Sequence, residues 1–336
     1  MTPLAVIVLA AGKGTRMRSA LAKVLHPLAG RPLVAHVLEL ARQLMPQHLL
    51  VVVGHQAEAV EAVCRPYGAC CVVQQPQLGT GHAVAQCAPR LAGFAGEVVV
   101  LSGDVPLLRP ATVQALCAEH RRQQAAVTLL TATLAEPHGY GRIVRDAQGR
   151  VVRIVEERDA TPAEKAIGEV NSGIYCFHAP FLFAALRRVG RNNAQGEQYL
   201  TDVVALAVAE GLPVAAVAAT DPEEITGVNT RLDLARLEAR LRLQRCQELM
   251  LAGVTIQDPA STVIEAPVQV GPDTVIAPHT HLLGHSVLGP GCHVGPHVVI
   301  RDSVLGEGVR VEPFCLLEAC QVAAHTTVPP FSHLHP

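Results

Sequence analysis

The 336-residue sequence contains no tryptophan, and its aromatic residues amount to only 3%. With so few aromatic rings, a bound nucleobase would be held mainly by backbone and amide hydrogen bonds rather than by stacking. The sequence also lacks a surplus of positive charge, because its formal net charge is -2. Proteins that bind nucleic acid or anionic lipid usually carry a basic patch, so we expect a small-molecule substrate and neither of those partners.

Long hydrophobic runs are missing as well. The first residues, MTPLAVIVLAAGKG, contain an apolar run of about eight residues, which is too short for a membrane span or a signal core. We interpret this run as a buried strand and expect a cytoplasmic protein. None of the 10 cysteines forms a CxxC pair, so we expect free, buried thiols rather than disulfides or a zinc site.

The first two thirds of the chain alternate short β-rich apolar runs with helical patterns. The predicted strand and helix pairs are Leu4–Ala10 with Leu33–Met45, His48–Val53 with Ala57–Cys64, and Glu97–Leu101 with Ala111–Arg122. Such alternation predicts an α/β domain, a parallel, doubly wound (Rossmann-like) sheet, over residues 1–229. The functional site of such a sheet lies beyond the carboxyl ends of its strands.

The last third shows two other periodicities. Residues 230–252 place leucines at helical spacing without Gly or Pro, which predicts a long linker helix. From Val270 to Val328 an apolar residue recurs about every sixth position, often followed by Gly, which is typical of hexapeptide repeats. We predict a short left-handed parallel β-helix over residues 253–336, with roughly three to four coils and two irregular five-residue steps after Ile300 and Leu317.

A glycine-rich turn follows the first predicted strand. The segment LAAGKGTRM, Leu9 to Met17, can turn its backbone N–H groups toward an anion, and Arg16 and Lys23 can neutralise a triphosphate. The pattern is neither GxGxxG nor Walker A, since it lacks the third glycine of the first and the GK[ST] ending of the second. A purely structural turn is the alternative interpretation.

Two later segments also fall at predicted strand ends. The amides and exposed backbone between Gln74 and Ala83 could bind a base edge, although Thr80 could equally cap the helix that follows. Asp104 comes directly after the strand Glu97–Leu101, where a carboxylate can bind Mg²⁺ or merely cap a turn.

These segments, together with the strings GYGRI, IVEE, EVNSGI, NNAQGEQYLTD and GVNTRL, occur in an order that is specific to one family. Over essentially its whole length the chain resembles the bacterial N-acetylglucosamine-1-phosphate uridylyltransferases, the amino-terminal half of GlmU-type bifunctional enzymes. The resemblance implies a UDP-N-acetylglucosamine diphosphorylase that serves cell-wall biogenesis.

The resemblance also implies roles for individual residues. The base-binding positions would be Leu9, Ala10, Ala11, Gly12, Gln74, Gly79 and Thr80, and the catalytic phosphate-binding cations would be Arg16 and Lys23. The sugar-binding positions would be Gly141, Glu156 and Asn171, with Tyr199 and Thr201 nearby. Asp104 and Asn229 would bind Mg²⁺ and substrate, next to Ser102 and Gly103. Ser102 departs from the pattern, because the family commonly has tyrosine there, and its loss would loosen the packing around the sugar or ribose.

The expected reaction joins UTP to N-acetylglucosamine 1-phosphate by direct in-line attack, with Mg²⁺ and without a covalent intermediate. A homotrimer through the β-helix is implied as well. We expect no acetyltransferase activity, since the basic, histidine and asparagine positions for acetyl-CoA chemistry have no counterpart in the sequence. The alternatives are another sugar-1-phosphate nucleotidyltransferase of the same fold and a catalytically idle trimeric scaffold.

Overall fold

The computed structural model describes residues 2–336, and its first strand, β1 (Leu4–Ala10), lies in the middle of the main sheet. Successive side chains of a strand point to opposite faces, so Ala5 and Ile7 join one hydrophobic layer while Val6 and Val8 join the other. All four are fully buried, as expected for the central strand of a sheet covered by helices on both faces.

The strands of the amino-terminal region are β1, β2 (Pro27–Leu28), β3 (Arg31–Pro32), β4 (His48–Val53), β5 (Cys70–Val73), β6 (Glu97–Ser102), β7 (Val127–Thr133), β8 (Arg142–Arg145), β9 (Val151–Val155), β10 (Glu169–His178) and β11 (Val214–Ala218). The helices are α1 (Leu33–Gln43), α2 (Ala57–Cys64), α3 (Thr80–Ala85), α4 (Pro110–Gln123), α5 (Pro162–Lys165), α6 (Ala179–Leu186), α7 (Asp202–Ala209) and α8 (Arg231–Leu251). The strands and helices that we predicted in this region are confirmed to within two residues at each end.

The main sheet has the strand order β11-β7-β10-β6-β1-β4-β5, with β8 and β9 attached beside β10. The strands β6, β1, β4 and β5 run parallel, so their carboxyl ends meet at one edge. The expectation of a purely parallel sheet is wrong at β10, which runs antiparallel to both β6 and β7. The chain reverses its direction in the hairpin of β8 and β9, and β10 then lies between β6 and β7. The alternating pattern in the sequence does not predict this arrangement.

The chain divides into two compact units between Thr230 and Arg231, and the short segment Pro27–Arg31 groups with the second unit. Within that unit the backbone N–H of Ala29 donates to Glu238 of α8 at 2.7 Å. The linker helix predicted for residues 230–252 spans Arg231–Leu251. Of its leucines, Leu237 is buried, whereas Leu232 and Leu243 are exposed.

The second unit is a left-handed parallel β-helix. Its three sheets hold five, five and four short parallel strands. The strands are β12 (Thr255–Ile256), β13 (Val263–Ile264), β14 (Gln269–Val270), β15 (Val275–Ile276), β16 (His281–Leu283), β17 (Val287–Leu288), β18 (His293–Val294), β19 (Val299–Arg301), β20 (Val304–Leu305), β21 (Arg310–Val311), β22 (Leu316–Glu318), β23 (Gln321–Val322), β24 (Thr327–Val328) and β25 (His333–Leu334). The solenoid lies within the predicted residues 253–336, but with up to five strands in each sheet it has more coils than the three to four predicted, because Ile256 and Ile264 already belong to its core.

The irregular steps of the repeat occur where predicted. Between β19 and β20 the chain turns at Asp302, whose φ is +46°, and between β22 and β23 it turns at Ala319, whose φ is +49°. At another corner the rings of His279, His297, Phe314 and Phe331 stack on one another with centroids 4.7 to 5.2 Å apart.

Candidate active site

The glycine-rich turn after β1 is held from both sides at the carboxyl edge of the sheet. The carbonyl of Ala11 accepts hydrogen bonds from the backbone N–H of His55 at 3.3 Å and from the side chain of Gln77 at 3.0 Å. Gly14 has a φ of +61°, and a Cβ there would lie 2.5 Å from the side chain of Lys23. Only glycine fits this position, and it lets Lys23 pass directly beside the turn.

A first cavity of about 300 Å³ opens at this edge, and we call it the Gln74 cavity. It collects most residues to which the sequence assigned a nucleotide-binding role. Its lining consists of Leu9, Ala10, Ala11, Gly12, Lys23, Val24, Gln74, Gln77, Gly79, Thr80, Ala83, Ser102, Asp104 and Glu197. No aromatic ring lines it among the described residues, so a base placed here would be bound by hydrogen bonds and aliphatic contacts.

Gln74 is almost fully buried and has a fixed side-chain orientation. Its backbone N–H donates to Val53 at 2.8 Å, which continues the pairing of β5 with β4. Its side-chain amide nitrogen donates to the carbonyl of Gly79 at 2.9 Å and lies 3.1 Å from Nδ1 of His82. The amide is therefore anchored by the start of α3 before any ligand is present.

Gly79 and Thr80 are clamped by the segment that precedes α7. A Cβ on Gly79, whose φ is +104°, would lie 2.5 Å from the carbonyl of Gln198. The hydroxyl of Thr80 accepts the backbone N–H of Leu200 at 3.0 Å. The suggestion that Thr80 caps α3 is wrong, because Gly79 is the N-cap and Thr80 is the first helical residue.

Four polar side chains meet beside the Gln74 cavity. Lys23 forms an ion pair with Asp104, and each of these side chains is 17% exposed. Asn229 Oδ1 lies 3.3 Å from Lys23 Nζ and 2.8 Å from a guanidinium nitrogen of Arg16. The backbone N–H of Val228 donates to the Asp104 carbonyl at 2.9 Å, which brings Asn229 next to the end of β6. We call these four residues the charged junction.

Gly103 and Ser102 set the position of Asp104. The backbone N–H of Gly103 donates to the carbonyl of Leu9 at 2.9 Å, and a Cβ on Gly103 would lie 2.9 Å from that oxygen. Gly103 therefore brings β6 and β1 close together and does not itself line the Gln74 cavity. Ser102 lines that cavity, and its hydroxyl lies next to Gly173.

The residues proposed for sugar binding form one row across β8, β9 and β10. Arg142 pairs with Val155 on one side and with Val170 on the other. Because both pairings are antiparallel, the next residues at that end are Gly141, Glu156 and Asn171. The backbone N–H of Asn171 donates to the Gly141 carbonyl at 2.8 Å, and a Cβ on Gly141 would come within 3.5 Å of the Glu156 carboxylate.

A second cavity, of about 420 Å³, lies beside this row, and we call it the Glu156 cavity. It is lined by Gly12, Gly14, Thr15, Arg16, Lys23, Gly139, Glu156, Glu157, Arg158, Gln195 and Asn229. Gly141 and Asn171 lie behind Glu156 and do not line it. The amide of Asn171 is occupied internally, since it donates to the Tyr175 hydroxyl at 2.7 Å and accepts from Gly173 at 3.3 Å.

The carboxyl group of Glu156 lies in an unusual electrostatic environment. Burial raises its pKa above the ordinary value, and the neighbouring carboxylates of Asp159, Asp202 and Glu197 raise it further. The hydroxyl of Thr201 donates to Glu156 Oε1 at 3.2 Å and opposes this rise. Thr201 therefore belongs to the site, whereas Tyr199 is buried outside both cavities.

Several residues of the site were not identified from the sequence. Glu197 lines the Gln74 cavity, and Glu157, Arg158 and Gln195 line the Glu156 cavity, whereas Gln77, which also lines the Gln74 cavity, belongs to the segment predicted to bind a base edge. Arg142 is fully buried and forms an ion pair with Glu157 at 2.7 Å. The strings GYGRI and IVEE contain both partners, but nothing in their spacing shows that these segments pair.

Asp104 and Asn229 are also the residues that could hold a metal ion at the junction, since both offer oxygen ligands. Elsewhere in residues 2–336, Glu97, Cys117 and Cys176 bring ligand atoms within 4.8 Å of one another. Both carboxylate oxygens of Glu97 already accept hydrogen bonds from Arg121, at 2.7 and 2.6 Å. All ten cysteines are free thiols, as expected, but Cys70, Cys71 and Cys320 are only partly buried.

Comparison with known proteins agrees with this architecture. The MobA-like NTP transferase domain matches residues 6–202, and the bacterial transferase hexapeptide family, with six repeats, matches residues 261–302. The bifunctional protein GlmU of Pelobacter propionicus is 49% identical over 337 positions, covering 100% of this chain and 73% of the relative. The GlmU proteins of Trichlorobacter lovleyi and Prochlorococcus marinus are each 50% identical and cover 99% of this chain.

The chain belongs to the GlmU family. Membership confirms the expected enzyme class, the UDP-N-acetylglucosamine diphosphorylases, and a nucleotidyltransferase of the sugar-1-phosphate uridylyltransferase type. It also confirms the predicted order of a nucleotidyltransferase domain followed by a hexapeptide β-helix. None of the helices within residues 2–336 is both long and apolar enough to cross a membrane.

Proposed function

We propose that the protein transfers UMP from UTP to N-acetyl-α-D-glucosamine 1-phosphate, giving UDP-N-acetylglucosamine and pyrophosphate. The observation that carries this proposal is that the Gln74 cavity and the Glu156 cavity share Gly12 and Lys23 in their linings. A nucleotide in the first and a sugar phosphate in the second would therefore bring their phosphates together at the charged junction. That juxtaposition is what joining two phosphates requires.

The Gln74 cavity suits a uridine nucleotide. Leu9 to Gly12 offer backbone groups, and the amide of Gln74 and the backbone of Gly79 and Thr80 offer hydrogen bonds at the opposite wall. The Gly12 position is open, since nothing lies within 4 Å of where a Cβ would be. A phosphate can therefore approach the backbone of this turn closely.

The charged junction suits the chemistry. A phosphate oxygen of the sugar phosphate would attack the α-phosphorus of UTP in line as the bond to pyrophosphate breaks. Because a phosphate monoester dianion is already nucleophilic, neither a covalent intermediate nor a strong base is required. Arg16 and Lys23 would bind the phosphate oxygens, and their positive charges would stabilise the negative charge that develops there.

The oxygen ligands at the junction fit Mg²⁺. Asp104 and Asn229 both contact the ammonium of Lys23, so a position between their oxygens already accepts positive charge. Mg²⁺ prefers such hard oxygen ligands and retains several waters, which agrees with only two protein ligands. When bound, the ion would neutralise phosphate charge and help to align the two substrates.

Glu156 would accept hydrogen bonds from the sugar hydroxyls, since its carboxylate lines the Glu156 cavity. Thr201 would hold that carboxylate in place through the hydrogen bond at 3.2 Å. We assign Gly141 and Asn171 to the same subsite as the residues of the β8–β10 row that set the position of Glu156. A Cβ on Gly141 would lie 3.0 Å from the side chain of Ile154, but only at ordinary contact distance from Glu156 and Asn171.

We also propose a homotrimer formed through the β-helix, which measurement of the molar mass by light scattering at micromolar concentration tests; a monomer would contradict it. The expectation that the 336-residue polypeptide does not transfer acetyl groups stays a prediction. An assay of coenzyme A release from acetyl-CoA and glucosamine 1-phosphate tests that prediction, and measurable release would overturn it.

The central experiment is a pyrophosphate-release assay of the purified protein with Mg²⁺. Each of the four NTPs is combined with N-acetylglucosamine 1-phosphate, glucosamine 1-phosphate, glucose 1-phosphate and galactose 1-phosphate. We expect the highest kcat/KM for UTP with N-acetylglucosamine 1-phosphate. A higher value for another pair would assign the protein to another sugar nucleotide, and binding of UTP without turnover for any pair would indicate an idle scaffold.

A further inference from the structure

The side chain of His82 lies behind the Gln74 amide, outside the Gln74 cavity. Its Nδ1 is 3.1 Å from the amide nitrogen of Gln74, and its Nε2 is 3.1 Å from the side-chain amide of Gln86, one turn further along the chain. The ring therefore connects a cavity-lining residue to the following turn, and no step of the proposed reaction uses it.

The chemistry of the partners determines how the Gln74 amide is oriented. The carbonyl of Gly79 can only accept a hydrogen bond, so the Gln74 atom 2.9 Å from it must be the amide nitrogen. The second hydrogen of that nitrogen faces His82 Nδ1, which must then be unprotonated, and the proton of the neutral ring resides on Nε2. The amide nitrogen of Gln86 also lies 3.2 Å from the backbone carbonyl of His82, and a neutral ring can accept a hydrogen bond from only one of the two amides. We assign the acceptor to the side of Gln74, whose 2.9 Å bond to Gly79 is the shorter of the two anchors; the Gln86 amide then turns over and gives up its 3.2 Å bond.

The orientation leaves one group of Gln74 for a ligand. Both of its amide hydrogens are committed, and no donor among the described residues is hydrogen-bonded to its Oε1. Gln74 therefore presents an acceptor to the cavity. Uracil carries a hydrogen on N3 and can donate to such an oxygen, whereas N3 of cytosine is itself an acceptor and would face it with two lone-pair atoms.

We propose that His82 is the positioning residue that fixes pyrimidine specificity, by locking the Gln74 amide with its oxygen toward the base. This inference rests on the proposed use of UTP and extends it to the selection of uracil over cytosine. Burial keeps the pKa of His82 below its ordinary value, and the positive charge of Arg191 adds to that effect. Both favour the neutral ring that the hydrogen bond requires.

The test compares kcat/KM for UTP and CTP, with N-acetylglucosamine 1-phosphate as the acceptor, in four variants. We expect the wild-type protein to prefer UTP by at least about a hundredfold, since a mismatched buried polar group is strongly rejected. His82→Ala removes the acceptor and should lower the UTP-to-CTP ratio about tenfold, the scale of one hydrogen bond. His82→Lys, which can only donate, should lower it at least as much, and His82→Asn, whose Oδ1 can replace Nδ1, should restore it.

His178→Ala is the matched control, because this exposed histidine ends β10 at the opposite edge of the sheet and its loss should leave the ratio unchanged. An unchanged ratio in His82→Ala, in a wild-type protein that is active with UTP, would overturn the inference and leave the proposed function intact. A wild-type protein that releases no pyrophosphate would instead contradict the proposed function.

A measurement on the unmodified protein covers the case in which the His82 variants do not fold. The ¹⁵N chemical shifts of a histidine ring distinguish its two neutral tautomers, and ¹⁵N-labelled histidine introduced only at position 82 assigns the resonance. We expect Nδ1 of His82 to be unprotonated at pH 7.5. A proton on Nδ1 would overturn the inference irrespective of activity.

Discussion

The Gln74 cavity and the Glu156 cavity adjoin at the same edge of one domain, yet they are built differently. The first lies at the ends of parallel strands and is shaped by backbone groups whose positions are fixed by glycines at 79 and 103. The second lies beside an antiparallel segment and is lined by charged side chains such as Arg16, Glu156 and Arg158. The first can therefore select a ligand by hydrogen-bond direction, whereas the second depends on charge and should respond to pH and to charge-removing substitutions.

The largest effect is expected where the two cavities meet. Asp104→Ala removes the carboxylate that contacts Lys23 and would hold Mg²⁺, so both substrates lose their alignment. Turnover should fall at least about a hundredfold, the scale for losing one preorganised charge contact. Pyrophosphate release measures it. Asp104→Asn keeps the shape without the charge and should be similarly impaired, and near-normal turnover in either variant would contradict the assignment.

Glu156→Gln should separate the two cavities. The substitution preserves shape but removes the charge that would accept hydrogen bonds from the sugar, so KM for the sugar phosphate should rise roughly tenfold to a hundredfold. KM for UTP should stay within about twofold, because the Gln74 cavity does not include Glu156. Initial rates with one substrate varied at a time measure both constants. A parallel rise in both would show that the cavities do not act separately.

The pH dependence should differ between the cavities in the same way. The pKa of Glu156 is raised by burial and by neighbouring carboxylates, so this group takes up a proton at a higher pH than an ordinary glutamate. As the pH falls toward that pKa, the carboxylate is lost and KM for the sugar phosphate should increase. The phosphate substrate also titrates near a pH of about 6. The dependence of KM on pH in Glu156→Gln measures the contribution of the substrate alone. If KM for the sugar phosphate changes equally with pH in the wild-type protein and in Glu156→Gln, Glu156 has no such role.

The comparison also explains what could be predicted from the sequence. Asp104 and the turn at Gly12 follow buried strands directly, and parallel strands bring their ends to one edge, so their proximity could be inferred locally. Gly141, Glu156 and Asn171 are brought together by antiparallel pairing across β8, β9 and β10, which no local pattern specifies. Only the family resemblance indicated them. Similarly, the hydrogen bond from Leu200 to Thr80 depends on a segment 120 residues away.

The β-helix shows the limit of periodicity. The β-helix was predicted over residues 253–336, but its repeats were counted only from Val270. Ile264 lies six residues before Val270, whereas Ile256 lies eight residues before Ile264. The longer step interrupts the spacing of six, so the number of coils was underestimated, although both side chains belong to the hydrophobic core. The stacked rings at His297 and Phe314 likewise follow from the coil geometry, because residues that are distant in sequence become neighbours.

The smallest effect is expected one step away from the Glu156 carboxylate. Arg142 is fully buried and its guanidinium lies 2.7 Å from Glu157, whose neighbour is Glu156. Glu157→Gln leaves that buried positive charge with a neutral partner and should lower the free energy of unfolding by about 1–3 kcal/mol. It should also raise KM for the sugar phosphate a few-fold, roughly three to ten, because the turn that carries Glu156 becomes less fixed. Thermal unfolding and initial rates measure the two effects.

Glu61→Gln, on the surface of α2, is the matched control for the loss of one negative charge. A lower melting temperature with an unchanged KM for the sugar phosphate would show that the Arg142–Glu157 pair stabilises the fold without positioning Glu156. A change in KM for UTP alone would show that the pair acts on the Gln74 cavity instead and would contradict the prediction.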